Sequence, residues 1–551
     1  MAPPVDAAAA ADGPLLLPLP FAPASAAAAP PRGRLAALRV LLAEPAVAAE
    51  MAALATLAWQ TGLGVMARQL VPVVDAAVLG RLGTRFLAAS SVANIFVVAT
   101  NGFVWQAIGS ALNTLAAQAD GAGEPLLVGL WTQTAAAVAA AACALVSALW
   151  AFGAAASLAL LGFAPETTQL AQVFCRWLLI YMWANMFYIV TTNYLNSFSV
   201  SWPPLVANVA LFFVNVLLNV ALVLGTAPFG APGAWPGLGF IGSPIASGAT
   251  QVAVAVLLVV FIRRSPALYA GRWPGWRPRE ALAAGRVGAF MRQAGPSFAV
   301  FLLQDGYLQV CSLLAAQLGA ADIAAHSAFL QLLFALTCLI FGLSKAMQVR
   351  VALLLGRGDA RLARLVAALA TALCTGLSVA IGLALVAARS VAGRLFSEDA
   401  AVVAAARDIA LPCGLGYMLI SFFYCSRAIL AAQGRPGPAA VAFLVGAWGV
   451  GVPFAFAQRR WLPALGVAGI WWGLVLGFAC VTLIAGAFVV TSKWDDLARR
   501  AGERARGAAI ELEGESKGEG NGDGDGDGDG DGDGEEDKAV ALLGSLQRGE
   551  D

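Results

Sequence analysis

The sequence predicts an all-α membrane protein in which twelve transmembrane helices form two pseudo-symmetric six-helix bundles. Three observations carry that prediction. The chain is 60% hydrophobic and only 12% charged; apolar runs of spanning length follow one another from about residue 51 to 491; and a set of short motifs recurs in order in its second half. Soluble domains carry about 25% charged residues, and the mean hydropathy here is +0.76. A spanning helix needs about 20 mainly apolar residues. Twelve stretches satisfy this, near 51–79, 87–115, 126–152, 168–192, 204–225, 240–262, 294–317, 323–348, 362–388, 405–432, 437–457 and 464–491. None alternates like a barrel strand, so the embedded backbone satisfies its hydrogen bonds as helix.

Residues 1–45 are rich in Ala and Pro, and Leu15-Leu-Leu-Pro-Leu-Pro is too short and Pro-broken to span or to act as a signal h-region. The expectation is a disordered cytoplasmic tail, with a plastid address as the alternative. A first bundle follows at 46–262. Its first span carries a lone carboxylate, Asp75, in the stretch Val71-Pro-Val-Val-Asp-Ala-Ala-Val-Leu-Gly80. A charge mid-membrane costs roughly 2.5–3.5 kcal/mol on insertion scales, which makes Asp75 a functional candidate. Arg68 lies seven residues earlier on nearly the same face, about 10 Å along the axis, too far for an ion pair but placed to snorkel or to line a cavity. Asn215 and Asn219, four apart, share one face of the fifth span. The fourth span gathers Trp177, Tyr181, Trp183, Phe187 and Tyr188. Such a stripe either stacks a planar substrate or packs against helices and lipid.

The segment 263–293 holds Arg263, Arg264, Arg272, Arg277, Arg279, Arg286 and Arg292 against the single acid Glu280. The positive-inside rule puts it in the cytoplasm, and an even span count puts both termini there too. It reads as a linker, not as a nucleic-acid patch. The second bundle covers 294–492. Lys345 and Arg350, late in its second span, are expected to reach the cytoplasmic interface, and His326, the only histidine, to pack structurally. The eight cysteines all fall within spans without a CxxC pair, which implies neither a disulfide framework nor a metal site. Residues 493–551 read as a disordered acidic tail rich in Gly and Asp. Asp525-x-Asp-x-Asp-Gly530 with Glu536 formally satisfies a calcium-loop pattern, but a pure repeat satisfies many patterns.

The repeat is legible in particular residues. Leu82-Gly83 with Ala88-Ala89 returns 236 residues later as Leu318-Gly319 with Ala324-Ala325. Gly121-Ala-Gly-Glu124 returns as Gly356-Arg-Gly-Asp359, Trp202-Pro203 as Arg435-Pro436, and Gly239-Phe-Ile-Gly242 as Gly466-Val-Ala-Gly469. Two halves of equal orientation, related by an axis along the membrane normal, are the plan of transporters that rock around a central cavity.

These motifs, in their order, resemble the multidrug and toxic compound extrusion (MATE) family over roughly 50–490. The likeness runs through Val74-Asp-Ala-Ala-Val-Leu-Gly-Arg-Leu-Gly83, Ser110-Ala-Leu-Asn-Thr-Leu-Ala-Ala-Gln-Ala-Asp-Gly-Ala-Gly123, Asn215-Val-Leu-Leu-Asn219 and Gly239-Phe-Ile-Gly-Ser-Pro-Ile-Ala-Ser247. Leu318-Gly-Ala-Ala-Asp-Ile-Ala-Ala-His-Ser327 and Ala428-Ile-Leu-Ala-Ala-Gln-Gly-Arg-Pro436 extend it, and Ala324-Ala-His-Ser is most similar to the DNA-damage-inducible-F-like branch with its plant plastid-envelope members. The resemblance implies a proton-coupling set of Asp75, Asn215, Asn219 and Ser247. A substrate cavity is expected to bear on Arg68 and Tyr181, from their places in the first and fourth spans, and on Gln304, Asp305 and Gln309, from the resemblance. Gln304 and Gln309 stand where other plant members carry Glu, which moves the expected coupling to the first half.

The implied function is secondary active efflux of organic solutes (drugs, toxins or secondary metabolites) by alternating access, as a proton antiporter. The alternatives are a sodium-coupled or uncoupled exporter of an organic anion, or a lipid-linked flippase. One histidine and no intramembrane cluster of acids leave little for catalysis, so no enzyme activity, cofactor or metal is expected. The implied partners are a small organic substrate, a proton or Na+, and the bilayer, for a monomer with no nucleic acid. The plasma or vacuolar membrane is the expected location, with the plastid envelope as the alternative.

Overall fold

The structure, a computed structural model, describes residues 44–226, 228, 235–269, 271–395 and 399–519. The expected N-terminal tail to residue 43 and the Gly-Asp repeat with its calcium-loop pattern lie outside the described residues. Among the described residues, 50–519 belong to one compact unit, and 44–49, which fall to a second, form only the start of the first helix.

No strand occurs among the described residues. Among the described residues eleven helices are long and apolar enough to cross a membrane, and counting one bent pair as a span brings the number to twelve. They are α1 (Pro45–Gly80), α2 (Thr84–Gly121), α3 (Pro125–Leu160), α4 (Pro165–Trp177 with Leu179–Ser197), α5 (Trp202–Leu224) and α6 (Gly239–Arg264). The second set is α7 (Ala284–Ala316), α8 (Ala320–Gly356), α9 (Ala360–Ser390), α10 (Ala400–Ala432), α11 (Gly437–Trp461) and α12 (Pro463–Val490). A further helix, α13 (Trp494–Glu519), follows.

The helix boundaries follow local chemistry. α3, α4, α5 and α11 begin with Pro in the first turn, where its missing N–H is no loss. Asp359 caps α9 by accepting from the Leu362 amide at 2.9 Å, and Asp399 caps α10 by accepting from Ala401 at 2.8 Å. The recurring Leu-Gly has a backbone reason: Gly83 and Gly319 adopt φ of 132° and 147° at the entrances of α2 and α8, a region closed to side-chain-bearing residues. The fourth span is not continuous, because its two halves meet at 48° about Leu178.

Two apolar cores match the two halves. One gathers Leu79, Leu112, Leu130, Trp150, Phe174 and Met182. The other gathers Phe329, Leu354, Tyr417, Phe423, Phe443 and Trp471. Several helices cross this division: α2 gives Leu112 to the first core and Ala117 to the second. α1 gives Leu54 and Leu57 to the second core and Val78 and Leu79 to the first. α7 gives Phe290 and Ala294 to the first core and Val300 and Cys311 to the second.

Two boundary expectations need correction. The Arg-rich linker does not run free to residue 293, since α7 begins at Ala284. Its remainder is clamped to the first lobe: Arg272 pairs with Asp120 at 2.8 Å, and Gln133 donates to the Gly275 carbonyl at 2.7 Å and accepts from the Arg277 amide at 2.8 Å. Nor is the chain irregular from 493. α13 buries Trp494, Leu497, Ala498 and Ala501 while Arg499 pairs with Asp496 and Glu503 at 3.0 and 2.9 Å. Small residues and i,i+3/i,i+4 ion pairs make an amphipathic helix that composition alone disguised. Arg504 reaches the side chain of Gln118 at 3.3 Å, and Arg286 the Ala508 carbonyl at 3.5 Å. α13 therefore lies across the face where α2, α8 and the linker end.

Candidate functional site

Asp75 sits three residues beyond Pro72, which lies inside α1 and lacks the N–H that would bind the Arg68 carbonyl. The helix is therefore weakest between its two mid-membrane charges. α5 and α6 surround the carboxylate. Asn219 donates through Nδ2 to Oδ1 of Asp75 at 2.7 Å, and Ser247 donates to Oδ2 at 3.1 Å. Asn215 stands one step back. Its Oδ1 accepts from Asn219 at 3.3 Å, and its Nδ2 donates to Thr250 at 3.2 Å. All four groups are buried, and Oδ1 of Asn219 has no partner among the described residues. The face shared by Asn215 and Asn219 is thus the face turned to α1.

Arg68 is held by neutral groups. It donates to Asn185 Oδ1 at 2.8 Å, to Tyr181 Oη at 3.3 Å and to Gln251 Oε1 at 3.3 Å, and its guanidinium lies 4.3 Å from the centre of the Tyr188 ring. Ser247 and Gln251 are one turn apart on α6, so a single helix face touches Asp75 with one residue and Arg68 with the other. The aromatic group of α4 splits accordingly. Tyr181 and Tyr188 turn inward to Arg68, whereas Trp177, Trp183 and Phe187 are exposed on the outer surface.

Arg68 opens onto a central cavity of about 150 Å³ between the lobes, lined by α1, α2, α4 and α5 on one side and by α7, α8 and α10 on the other. Its wall includes Gln60, Trp105, Asn113, Phe301, Lys345 and Arg427. Lys345 does not reach the interface as expected; the structure places it on this wall, because α8 continues past it to Gly356 and carries the membrane face further along.

Below the cavity the lobes close on one another. The last carbonyls of α10 have no partner within their own helix. They are met from elsewhere: Ala431 O accepts from Thr114 at 3.1 Å and from Gln293 at 2.9 Å, and Ala432 O from Gln118 at 2.7 Å. Gln348 donates to Ser110 and Thr114 at 3.0 Å. α2 and α8 cross at the repeated glycines, where a Cβ on Gly356 would strike the Gln118 carbonyl oxygen and one on Gly121 that of Leu353. Arg350, also expected at the interface, is instead buried. It grips Oε2 of Glu50 through Nε at 2.8 Å and through Nη2, and donates to Ser199 at 2.9 Å.

The second lobe holds no comparable carboxylate niche among the described residues. Gln304 donates to Tyr424 at 3.0 Å beside a separate apolar cavity. Asp305 is half-buried and lines neither cavity. Gln309 is exposed on the outside of α7, because its spacing from Gln304 turns it away from the lobe interior. His326 is fully buried, 3.0 Å from Ser312 and edge-on to Trp471. Among the described residues no group of three His, Cys, Asp or Glu could hold a metal.

Sequence reasoning missed Arg427, Glu50 and Gln251. Arg427 was findable, since it stands inside the tenth span as Asp75 stands inside the first. The other two carried no signal apart from the fold.

The MatE family model matches residues 61–221 and again 296–457, once in each lobe. Among curated relatives, the chain is 25% identical over 484 residues to Multidrug and toxin extrusion protein 2 of Mus musculus, covering 86% of this chain and 81% of that one. It is 25% identical over 442 residues to Protein DETOXIFICATION 12 of Arabidopsis thaliana, covering 80% and 89%. With Multidrug and toxin extrusion protein 1 of Oryctolagus cuniculus the identity is 26%, over 61% of this chain and 57% of that protein. Among solved structures, the eukaryotic MATE transporter AtDTX14 superposes with a TM-score of 0.75 at 24% identity, over 83% of this chain and 99% of that one. The Vibrio cholerae MATE transporter VcmN in its bent form superposes at 0.71 and 15%, over 84% and 100%, and both likenesses are of fold.

Proposed function

The chain belongs to the MatE family and is an integral multi-pass membrane transporter, and from that premise we propose that it exports organic solutes in exchange for protons carried on Asp75. Its two lobes, each one copy of the matched repeat, rock about the central cavity. The single observation that carries the reading is the niche in which Asn219 and Ser247 donate to a buried Asp75. Such donors favour the carboxylate, while burial penalises it, so a small change in helix spacing tips the balance. The same neighbours serve both protonation states. Once Asp75 holds a proton it must donate, and turning the Asn219 amide over brings its idle Oδ1 round as the acceptor.

Coupling to the cavity runs through α6. A shift that loosens Ser247 from Asp75 also moves Gln251 against Arg68 on the cavity wall. Pro72, between the two charges on α1, is where that helix bends at least cost. Each proton crossing 100 mV releases about 2.3 kcal/mol. At ~1.4 kcal/mol per tenfold, this sustains a gradient of several tens-fold for a neutral solute.

The test is Asp75→Asn in proteoliposomes with an imposed pH gradient. The variant keeps size and hydrogen bonding but cannot titrate. Folded protein with retained solute exchange and no gradient-driven accumulation is expected. Accumulation with unchanged pH dependence would make Asp75 structural and end the proposal.

A further inference from the structure

Three cationic side chains from three helices face the central cavity: Arg68 of α1, Lys345 of α8 and Arg427 of α10. None of the described residues lining it is Asp or Glu. Arg68 is bound only by two amide oxygens, a phenol and a ring face among the described residues. Arg427 lies over the rings of Phe301 and Tyr424 at 4.8 and 5.4 Å, and its buried Nε has no hydrogen-bond partner among the described residues. Lys345 forms no hydrogen bond or ion pair among the described residues, and it lies within electrostatic range of both arginines.

A buried charge in a span is costly unless paired, and three of one sign repel each other as well. The mid-membrane acids Asp75 and Asp305 do not relieve them. Asp75 is engaged by α5 and α6, and Asp305, one turn beyond Phe301 on α7, forms no ion pair among the described residues and is not on the cavity wall. The arrangement is therefore incomplete in charge, and what completes it is an anion entering from outside the protein. Guanidinium forks recognise carboxylates in two-point fashion, and the ring faces beside both arginines suit a flat hydrocarbon part.

We propose that this cavity selects small organic anions, aromatic mono- or dicarboxylates in the first instance, held between Arg68, Lys345 and Arg427. The assignment of substrate class rests on the export reading above for its direction of transport, but the site itself does not depend on how transport is driven.

Binding of isophthalate, a dianion, and of benzyltrimethylammonium, a cation of similar size, is measured calorimetrically on the full chain in detergent. Uptake of both is then followed in phosphatidylcholine proteoliposomes, which hold no anionic lipid, under a pH gradient. Isophthalate is expected to bind at least tenfold more tightly than the cation. Lys345→Gln and Arg427→Gln should each weaken isophthalate at least tenfold, and Lys345→Arg should restore it to within threefold, with thermal unfolding as the check of folding. Tighter binding of the cation, no binding of isophthalate by folded wild-type protein, or indifference of isophthalate to both Gln variants overturns the inference. The wild-type preference decides the matter even if a Gln variant does not fold. Isophthalate that binds but is not driven by the pH gradient sinks proton exchange and leaves the anion site standing. A cation that binds more tightly and accumulates does the reverse.

Discussion

Charge removal at the closed face is the most quantitative test of how the lobes are held. Glu50 and Arg350 are 7% and 9% exposed, so their pair belongs to the buried class. Removing one partner of such a pair costs about 3–5 kcal/mol, mostly because the other charge is left stranded. Arg357 lies 3.7 Å from the second Glu50 oxygen but is 45% exposed, so it compensates only in part when Arg350 is lost. The lower bound of about 3 kcal/mol therefore applies to Arg350→Met. At ~1.4 kcal/mol per tenfold, the closed arrangement should be disfavoured roughly a hundredfold. Glu50→Gln should cost the same or more, because it strands a guanidinium whose remaining partner is Ser199. Glu50→Gln with Arg350→Met strands nothing and should lie within about tenfold of wild type, a non-additive result that identifies coupling. Amide hydrogen exchange at the end of α8, residues 346–356, reads the opening. If either single substitution changes protection less than twofold, or if the two costs simply add, the pair does not hold this face shut.

Three further outcomes are expected. Gly356→Val should place a side chain against the Gln118 backbone, cost about 1–3 kcal/mol in the closed state and block transport, while labelling of an introduced Ser110→Cys from this face increases. Gln304→Ala should lose the bond to Tyr424 and about 1 kcal/mol of stability, and neither it nor Gln309→Ala should alter the pH dependence of transport; loss of coupling in either would move the proton to the second lobe. In α13, Arg499 beside Asp496 holds that carboxyl below its usual 3.8. The pair's contribution is thus complete above 3.8 and lost as pH falls through the lowered value. Limited proteolysis should therefore cut α13 faster only at strongly acid pH, and Arg499→Ala should abolish the difference.

The sequence by itself determined the fold class, the two-lobe repeat and the acid of the first span. An embedded backbone is satisfied only in helices or closed barrels, and apolar runs of spanning length without strand alternation leave the helical bundle. Repeated Leu-Gly and Gly-x-Gly signals persist because each half needs the same left-handed turn and the same close crossing. Asn215 and Asn219 were legible as one face because helical spacing alone puts them together. Tertiary structure decided everything that depends on which face meets which. Gln309 falls outside the lobe, and Tyr181 and Tyr188 part from Trp177, Trp183 and Phe187, because helix rotation is set by packing that no single helix encodes. The charge balance of the cavity likewise has no linear signature. Arg68, Lys345 and Arg427 lie far apart along the chain, and only the approach of α1, α8 and α10 makes them one site.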